Sequence, residues 1–303
     1  MSFIKFKADR LFDGHRFHEN SVLITDEEGT IESIIPESQA GSDVSVQKGI
    51  LSPGLINCHC HLELSHLKGV IPPGTGLIEF LLTVVTKRDF AREIILKKIK
   101  EAEQEMYQNG IVAVGDISNT ADCIETKSKS RIRWQNFIEV LNISDEKSAA
   151  TIGQYNKIAK EHIDKLPSEH RTVLTPHAPY TIGKKTFELL NELTASKIIS
   201  IHNQEHPDED LLYKSGTGEF LRLLRFFGFR SSPLPVTGQS SLRSWMRYFD
   251  KQKRILLVHN TYTSAEDVEF SREYAEDRGV EIVFCLCPNA NIYIENQLPP
   301  VEM

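Results

Sequence analysis

The chain has 303 residues, a net charge of -7, and 40% hydrophobic and 25% charged residues, as expected for a soluble globular protein with one large domain and an appendage. The acidic balance argues against nucleic acid or an anionic membrane as a partner, since both favour basic surfaces. No apolar run approaches the ~20 residues that span a bilayer, and the N-terminal segment lacks the features of a signal peptide. The five cysteines form no disulfide framework, so we expect a cytoplasmic protein.

The first 50 residues alternate apolar and polar side chains in short runs, which is the pattern of β-strands. Two such runs extend from Phe3 to Phe12 and from Ser21 to Ile35. They are broken at Asp13-Gly14 and at Glu27-Glu28-Gly29, which are turn signals. The segment 1–50 is therefore expected to form a small β-rich lobe.

From residue 50 onward, strand-like runs alternate with longer amphipathic segments. The seven strand candidates are Ile50–Asn57, Ile111–Ile117, Trp134–Leu141, Thr172–Thr175, Ile198–His202, Ile255–His259 and Glu281–Leu286. The clearest helical patterns are Leu77–Gln108, Lys184–Ser196, Leu211–Phe227 and Ala265–Arg278. Alternation of this kind predicts a parallel sheet, either a β/α barrel one unit short of eight or a doubly wound sheet.

Polar side chains follow one strand after another. His59 and His61 are two residues apart in the first strand, so their imidazoles point the same way. Two histidines do not complete a metal site, but His177, His202 and His259 lie at or just beyond the ends of the fourth, fifth and sixth strands. Because these ends converge on one face of a barrel, where active sites are built, the set favours the barrel and predicts a catalytic metal centre.

Each of these residues suggests a chemical role. His59, His61 and His202 could hold Zn²⁺ or Fe²⁺ and leave a coordination position for water. Glu205, three residues past His202, is expected to carry a proton from that water to a leaving nitrogen. His259 would orient the water or stabilise the developing anion, or it would serve as a further ligand.

Three further residues are expected to contact the substrate. His177 lies between Pro176 and Pro179, which suggests a fixed loop. Glu63 projects on the side of His61 if the strand continues, and it would either bind substrate or cap the loop. Asn289 belongs to the polar segment after the seventh strand.

Five motifs in this order, SPGLINCHCH, HAPYT, HNQE, LLVHN and CPNAN, resemble the amidohydrolase superfamily, and in particular its cytosine deaminase-like and chlorohydrolase-like branch. The resemblance covers nearly the whole chain. It implies a (β/α)8 TIM-type barrel over residues 51–303 and a small β-sandwich lobe formed partly by residues 1–50. It also implies one divalent metal ion on His59, His61 and His202, with Glu205 as proton shuttle and His259 on the hydrolytic water.

The resemblance also implies a fourth ligand, an aspartate after the eighth strand. The sequence stops at Met303, shortly after CPNAN, so we expect a barrel that lacks its eighth unit. His66 and Asp116 are weak candidates for a substitute ligand, and neither matches a family position. Asp116 is more simply explained by ordering the loop of the second strand.

The expected activity is hydrolysis of a non-peptide C–N bond, most simply deamination of an amino-substituted N-heterocycle such as a nucleobase, a nucleoside or an aminodeoxyfutalosine-like compound. Two alternatives stay open. One is a chlorohydrolase or another amidohydrolase on a related ring, and the other is a metal-binding protein without catalysis. The expected partner is a small-molecule substrate, and a homodimer is possible.

Overall fold

The computed structural model describes residues 2–302, which divide into two compact units. One unit ends at Leu55 and the other begins at Ile56. Within the described residues, no helix combines the length and the apolar content that a membrane span requires.

The first unit contains two small sheets. Its strands are β1 (Phe3–Lys7), β2 (Arg10–Phe12), β3 (Phe17–His18), β4 (Ser21–Asp26), β5 (Ile31–Pro36), β6 (Ser45–Val46) and β7 (Ile50–Leu51). They are ordered β5-β4-β1-β6 and β3-β2-β7. Gly14 and Gly29 have φ of 101° and 87°, a left-handed conformation that glycine adopts without steric cost, so the two predicted turns are present. The strand-rich lobe agrees with the sequence pattern.

The second unit is a series of parallel strands with helices between them. The strands are β8 (Leu55–Cys60), β9 (Ile111–Ser118), β10 (Arg133–Val140), β11 (Arg171–Pro176), β12 (Ile198–Asn203), β13 (Arg254–His259) and β14 (Glu281–Cys285). The helices are α1 (Leu77–Lys87), α2 (Arg92–Gln108), α3 (Ile124–Ser128), α4 (Ser148–Lys165), α5 (Lys184–Leu193), α6 (Asp208–Ser215), α7 (Phe220–Phe226), α8 (Ser241–Met246), α9 (Ala265–Arg278) and α10 (Pro288–Glu295). The α/β class and the barrel-type succession expected from the sequence are confirmed.

The parallel strands follow one another in space as they do along the chain. They form the orders β8-β9-β10-β11 and β12-β13-β14. The two groups meet between β11 and β12, where the Ser200 amide donates to Thr175 Oγ1 at 2.8 Å and the His202 amide donates to the His177 carbonyl at 2.9 Å. All seven strands therefore direct their carboxyl ends to the same side, which is where the predicted polar residues lie.

Three predicted boundaries were wrong, each for a local reason. The run from Ile50 is two strands rather than one: Ile50–Leu51 pairs with β2, and β8 starts only after Pro53, which cannot donate to a strand ladder. The pattern Leu77–Gln108 is two helices, α1 and α2. The pattern Leu211–Phe227 is interrupted after Ser215 by Gly216, a left-handed helix cap with φ 70°.

An apolar core lies between the strands and their helices and fixes the strand ends. Buried side chains of β10, β12 and β13 pack with aromatic residues of α5 and α8 and with Phe249, which follows α8. Burial of each large aliphatic or aromatic side chain contributes about 1.5–3 kcal/mol relative to exposure. Ser264 caps α9 by accepting from the Asp267 amide, and Gly279 ends that helix at φ 65°, so α9 has the bounds that the sequence predicts.

Candidate metal and proton-transfer site

Three histidines meet at the carboxyl ends of β8 and β12. The Nε2 atoms of His61 and His202 are 3.2 Å apart. The ring of His59 lies 4.9 Å from that of His61 and 4.8 Å from that of His202, measured between centroids. One ligand atom from each of the three lies within 4.8 Å of the others. The structure thus brings together the three residues predicted to hold a metal.

The donor set fits a divalent metal ion. Burial, followed by the repulsion of neighbouring imidazoles, holds the pKa of His59 and of His202 well below the ordinary value. The rings are therefore neutral and can offer lone pairs, as metal ligation requires. His59 Nδ1 is buried and has no hydrogen-bond partner in the protein, although a buried polar atom ordinarily has one. Three neutral imidazoles that face one point form the type of ligand set found in catalytic zinc sites.

Glu205 and His259 form a pair beside these histidines. His259 Nδ1 donates to Asn291 Oδ1 at 2.8 Å, which leaves His259 Nε2 facing Glu205 Oε1 at 3.3 Å. Burial raises the pKa of Glu205 to about 8 and lowers the pKa of His259 to about 4. Without a metal ion, Glu205 therefore holds its proton near neutral pH and faces the unprotonated Nε2 of His259. A positive charge bound by the neighbouring histidines would favour the carboxylate, which is the form that can accept a proton.

Two asparagines fix the loops that carry this pair. Asn203 Nδ2 donates to Asn260 Oδ1 at 3.1 Å, and the Asn260 amide donates to the Asn203 carbonyl at 3.0 Å. Trp245 Nε1 also donates to Asn203 Oδ1, at 3.1 Å. Gln204, His259 and Asn260 have φ of 45°, 75° and 58°. Left-handed backbone costs about 1–3 kcal/mol at a residue other than glycine and persists where its surroundings hold it. The asparagine pair supplies that restraint next to Glu205 and His259.

A second buried carboxylate, Glu139 at the end of β10, accepts a hydrogen bond from His177 Nδ1. Burial alone would raise the pKa of Glu139, but the charge of His177 and the hydrogen bond from it outweigh burial and lower that pKa to about 2. Glu139 Oε1 also lies 3.6 Å from His202 Nδ1. His177 is thus in contact with the histidine cluster, as its position after β11 predicted.

A buried ion pair fixes the chain just after His61. Asp116 and Lys127 are fully buried, with a carboxylate-to-ammonium distance of 2.5 Å, and Lys127 also donates to Asn136 Oδ1 at 2.6 Å. Asp116 Oδ1 accepts from the Leu62 amide at 2.8 Å. Asp116 therefore orders the segment that follows the first two histidines. The same is true of His66, whose ring nitrogens both contact backbone carbonyls.

Glu63 and Asn289 are placed differently from the other predicted site residues. Glu63 Oε2 accepts from the Asn119 amide and from the amide and hydroxyl of Thr120, at 2.9–3.0 Å, so it fastens the loop after β9. Arg88 lies 3.7 Å from the other Glu63 oxygen. Asn289 is exposed in the first turn of α10. The substrate role of both residues stays a prediction.

A family comparison adds to this geometry. A model of the amidohydrolase family matches residues 50–303. The chain belongs to the amidohydrolase family. The resemblance inferred from the five sequence motifs is thereby confirmed, and this family uses a divalent metal ion, which agrees with the three-histidine cluster.

Two curated proteins are similar to the chain over most of its length. Aminodeoxyfutalosine deaminase of a Nitratiruptor species is 22% identical over 280 residues, which are 90% of this chain and 65% of the relative. 5'-Deoxyadenosine deaminase of Methanococcus vannielii is 29% identical over 244 residues, 75% of this chain and 56% of the relative. The chain therefore spans roughly half to two-thirds of the length of these curated relatives.

The fold is shared with a solved structure. Helicobacter pylori aminofutalosine deaminase, crystallised in complex with methylthio-coformycin, superposes with a TM-score of 0.81 at 20% identity, covering 99% of this chain and 73% of that chain. At this identity the likeness concerns the fold, and it confirms the amidohydrolase barrel architecture expected from the sequence.

Sequence reasoning missed two residues that touch the predicted ones. Glu139 was part of an apolar strand run, FIEV, in which a carboxylate could have been noticed as unusual. Asn291 belongs to the CPNAN segment, but only Asn289 of that segment is predicted from the sequence to be a site residue. The structure buries Asn291 against His259 and leaves Asn289 exposed.

Replacing the buried carboxyl of Glu209 by an amide, Glu209→Gln, is expected to flatten the pH dependence of stability. Burial raises the pKa of Glu209 to about 8 from an ordinary value of 4.5, and its Oε2 has no partner. The folded chain therefore keeps a proton that the unfolded chain releases above pH 4.5. The stabilisation from this proton is present below pH 4.5 and is lost as the pH rises through 8, by on the order of a few kcal/mol.

Urea unfolding of metal-free protein at several pH values between 6.5 and 8.5 measures this slope, because the buried histidines contribute the opposite slope below pH 6.5. The slope should become smaller in the variant, while the part contributed by Glu205 remains. Glu276→Gln, at an exposed position of α9, is the control and should keep the wild-type slope. An unchanged slope in Glu209→Gln would mean that Glu209 is ionised in the folded chain.

Proposed function

We propose that this chain carries the catalytic barrel of a metal-dependent aminohydrolase that deaminates an amino-substituted N-heterocycle, most simply an adenine-type nucleoside. The observation that carries the proposal is the Glu205–His259 pair, 3.3 Å apart, directly beside the three-histidine cluster. Hydrolytic deamination requires metal ligands and a proton-transfer group close to each other.

In this proposal His59, His61 and His202 hold one divalent ion, with zinc as the metal that suits three imidazoles best. When bound, such an ion supplies the Lewis acidity that makes water nucleophilic near neutral pH. Glu205 takes a proton from the attacking water and delivers it to the nitrogen side of the substrate, so that an amino group and water become a carbonyl group and ammonia. His259 orients the water through Nε2, and Asn291 holds the imidazole ring by its hydrogen bond with Nδ1.

The substrate class is supported by the relatives. Those described above are named as deaminases of aminodeoxyfutalosine and 5'-deoxyadenosine, and the solved structure was crystallised with methylthio-coformycin. His177 is proposed to contact the heterocycle, because it lies against the metal-binding cluster and its Nδ1 is already engaged by Glu139. Glu63 and Asn289 remain weaker proposals for substrate contact.

The test is ammonia release by full-length, zinc-loaded protein on a panel of adenosine, 5'-deoxyadenosine, an aminodeoxyfutalosine-type nucleoside, guanine and cytosine. We expect turnover on at least one adenine-type nucleoside. Chloride release from a chlorinated triazine without ammonia release from the panel would instead support a chlorohydrolase. Stoichiometric zinc with neither product would contradict the proposal and support a metal-binding protein.

A further inference from the structure

Glu139 lies next to two histidines for which we propose different roles. Its carboxylate is 97% buried, and it lies one residue before the end of β10. It accepts a hydrogen bond from His177 Nδ1, and the same oxygen is 3.6 Å from His202 Nδ1. One carboxylate therefore lies against a proposed substrate contact and a proposed metal ligand.

These contacts decide which nitrogen of each ring faces the site. His177 Nδ1 is held by Glu139, so the Nε2 edge of His177 is turned away from that carboxylate. His202 Nδ1 donates to the His177 carbonyl at 2.8 Å, so its Nε2 is the atom that faces His61 Nε2, 3.2 Å away. The carbonyl of His177 and the carboxylate that binds its ring thus orient the same metal-ligand histidine.

Glu139, His177 and His202 could be taken for a second cation site, since their ligand atoms lie within 4.8 Å of one another. The hydrogen bonds argue against it. His202 would have to offer Nδ1, which already donates to a carbonyl, while its Nε2 serves the first cluster. A neutral imidazole has one lone-pair nitrogen and one N–H, so it cannot serve both sites without losing its last proton.

We propose that Glu139 is a positioning residue that acts on both sides of the site: it fixes the His177 ring for substrate contact and supports His202 as a metal ligand. The substrate half rests on the proposed function, whereas the metal half does not. His202 Nδ1 donates to the His177 carbonyl, so Glu139 acts on His202 by holding His177 and by placing its charge 3.6 Å from that nitrogen. Changes to the residues around a metal-ligating histidine typically lower metal affinity about 10–100-fold. Loss of Glu139 therefore affects two measurable quantities.

The experiment compares wild type with Glu139→Gln in the full-length protein. The glutamine keeps the shape and can still accept from His177, but it lacks the charge. We expect a zinc dissociation constant, measured by competition with a chelating dye, that is about 10–100-fold weaker. We also expect a KM that rises by a larger factor than kcat falls.

A double-mutant cycle separates positioning from general structural damage. His177→Asn should raise KM by itself, and Glu139→Gln should add little to KM in the His177→Asn background, because the two residues act on the substrate as one unit. Thr194→Val is the control: Thr194 is also buried, but it contacts Leu190 and Gln252 before β12 begins, and its replacement should leave the zinc dissociation constant unchanged.

Two results would overturn the proposal: a zinc dissociation constant in Glu139→Gln within about twofold of wild type, or additive effects on KM. If Glu139→Gln does not fold, Glu139→Asp keeps the charge and withdraws the carboxylate, and the same two quantities decide. If wild type deaminates nothing, the proposed function fails, but the zinc measurement still tests Glu139.

Discussion

Glu205→Gln is expected to lower ammonia release by at least about 10²-fold, and by as much as about 10⁴-fold, because a general acid–base group contributes factors of this size. Glutamine has nearly the shape of glutamate, so contacts around the site are preserved, but it cannot accept the proton of the attacking water. The measurement is kcat on the best nucleoside of the panel, made with the zinc content of each preparation determined in parallel.

The Glu205→Gln protein should remain folded and should keep its metal. Burial raises the pKa of Glu205 to about 8, so above that pH the wild-type protein buries an ionised carboxylate, which glutamine avoids. The metal-free variant is thus expected to unfold at an equal or higher temperature than wild type at pH 8.5. A rate within tenfold of wild type would remove Glu205 from the proton transfer.

His202→Ala is expected to abolish zinc retention and activity together. Loss of a residue that supports a ligand typically weakens metal binding about 10–100-fold. Removal of a direct ligand should weaken metal binding by more than that. His202 also touches the other members of the cluster, with Nε2 3.2 Å from that of His61. The measurement is zinc per chain after dialysis, by elemental analysis, with His61→Ala giving the same result from the other strand.

His259→Ala is the comparison that makes this result specific. In our proposal His259 orients water and does not bind the ion, since its Nδ1 is engaged by Asn291 and its Nε2 faces Glu205. The His259→Ala protein should retain zinc close to the wild-type amount and lose most of its activity. Equal loss of zinc from His202→Ala and His259→Ala would mean that His259 is a ligand as well.

Much of this site could be predicted because the periodicity of the sequence indicates where the strands end, and the strand ends indicate which side chains lie together. Histidines placed at the ends of parallel strands converge in any barrel, so His59, His61, His202 and His259 needed no knowledge of loops. So many histidines at strand ends are not expected by chance. The bounds of α9 were also readable, since Ser264 and Gly279 are typical cap residues.

The residues that escaped prediction depend on contacts across the sheet. Glu139 and His177 are 38 residues apart, and nothing in the neighbourhood of either along the chain indicates the other. The expected direction of the Glu63 side chain depends on continued strand alternation after His61, but the chain enters a 3₁₀ turn at Leu62–Leu67. The substrate role of Glu63 stays a prediction. After α1 ends, the Arg88 carbonyl contacts His66 Nε2 at 3.0 Å, 22 residues away, and periodicity does not report such a contact.

The asparagine pair that joins β12 to β13 has a consequence for how this protein could diversify. Asn203 and Asn260 join the two loops that hold Glu205 and His259, so the spacing of that pair is fixed by contacts at the ends of β12 and β13. Loops on the other strands take no part in these hydrogen bonds. In our proposal, mutations in those loops could therefore change which substrate is bound while the distance between Glu205 and His259 stays the same.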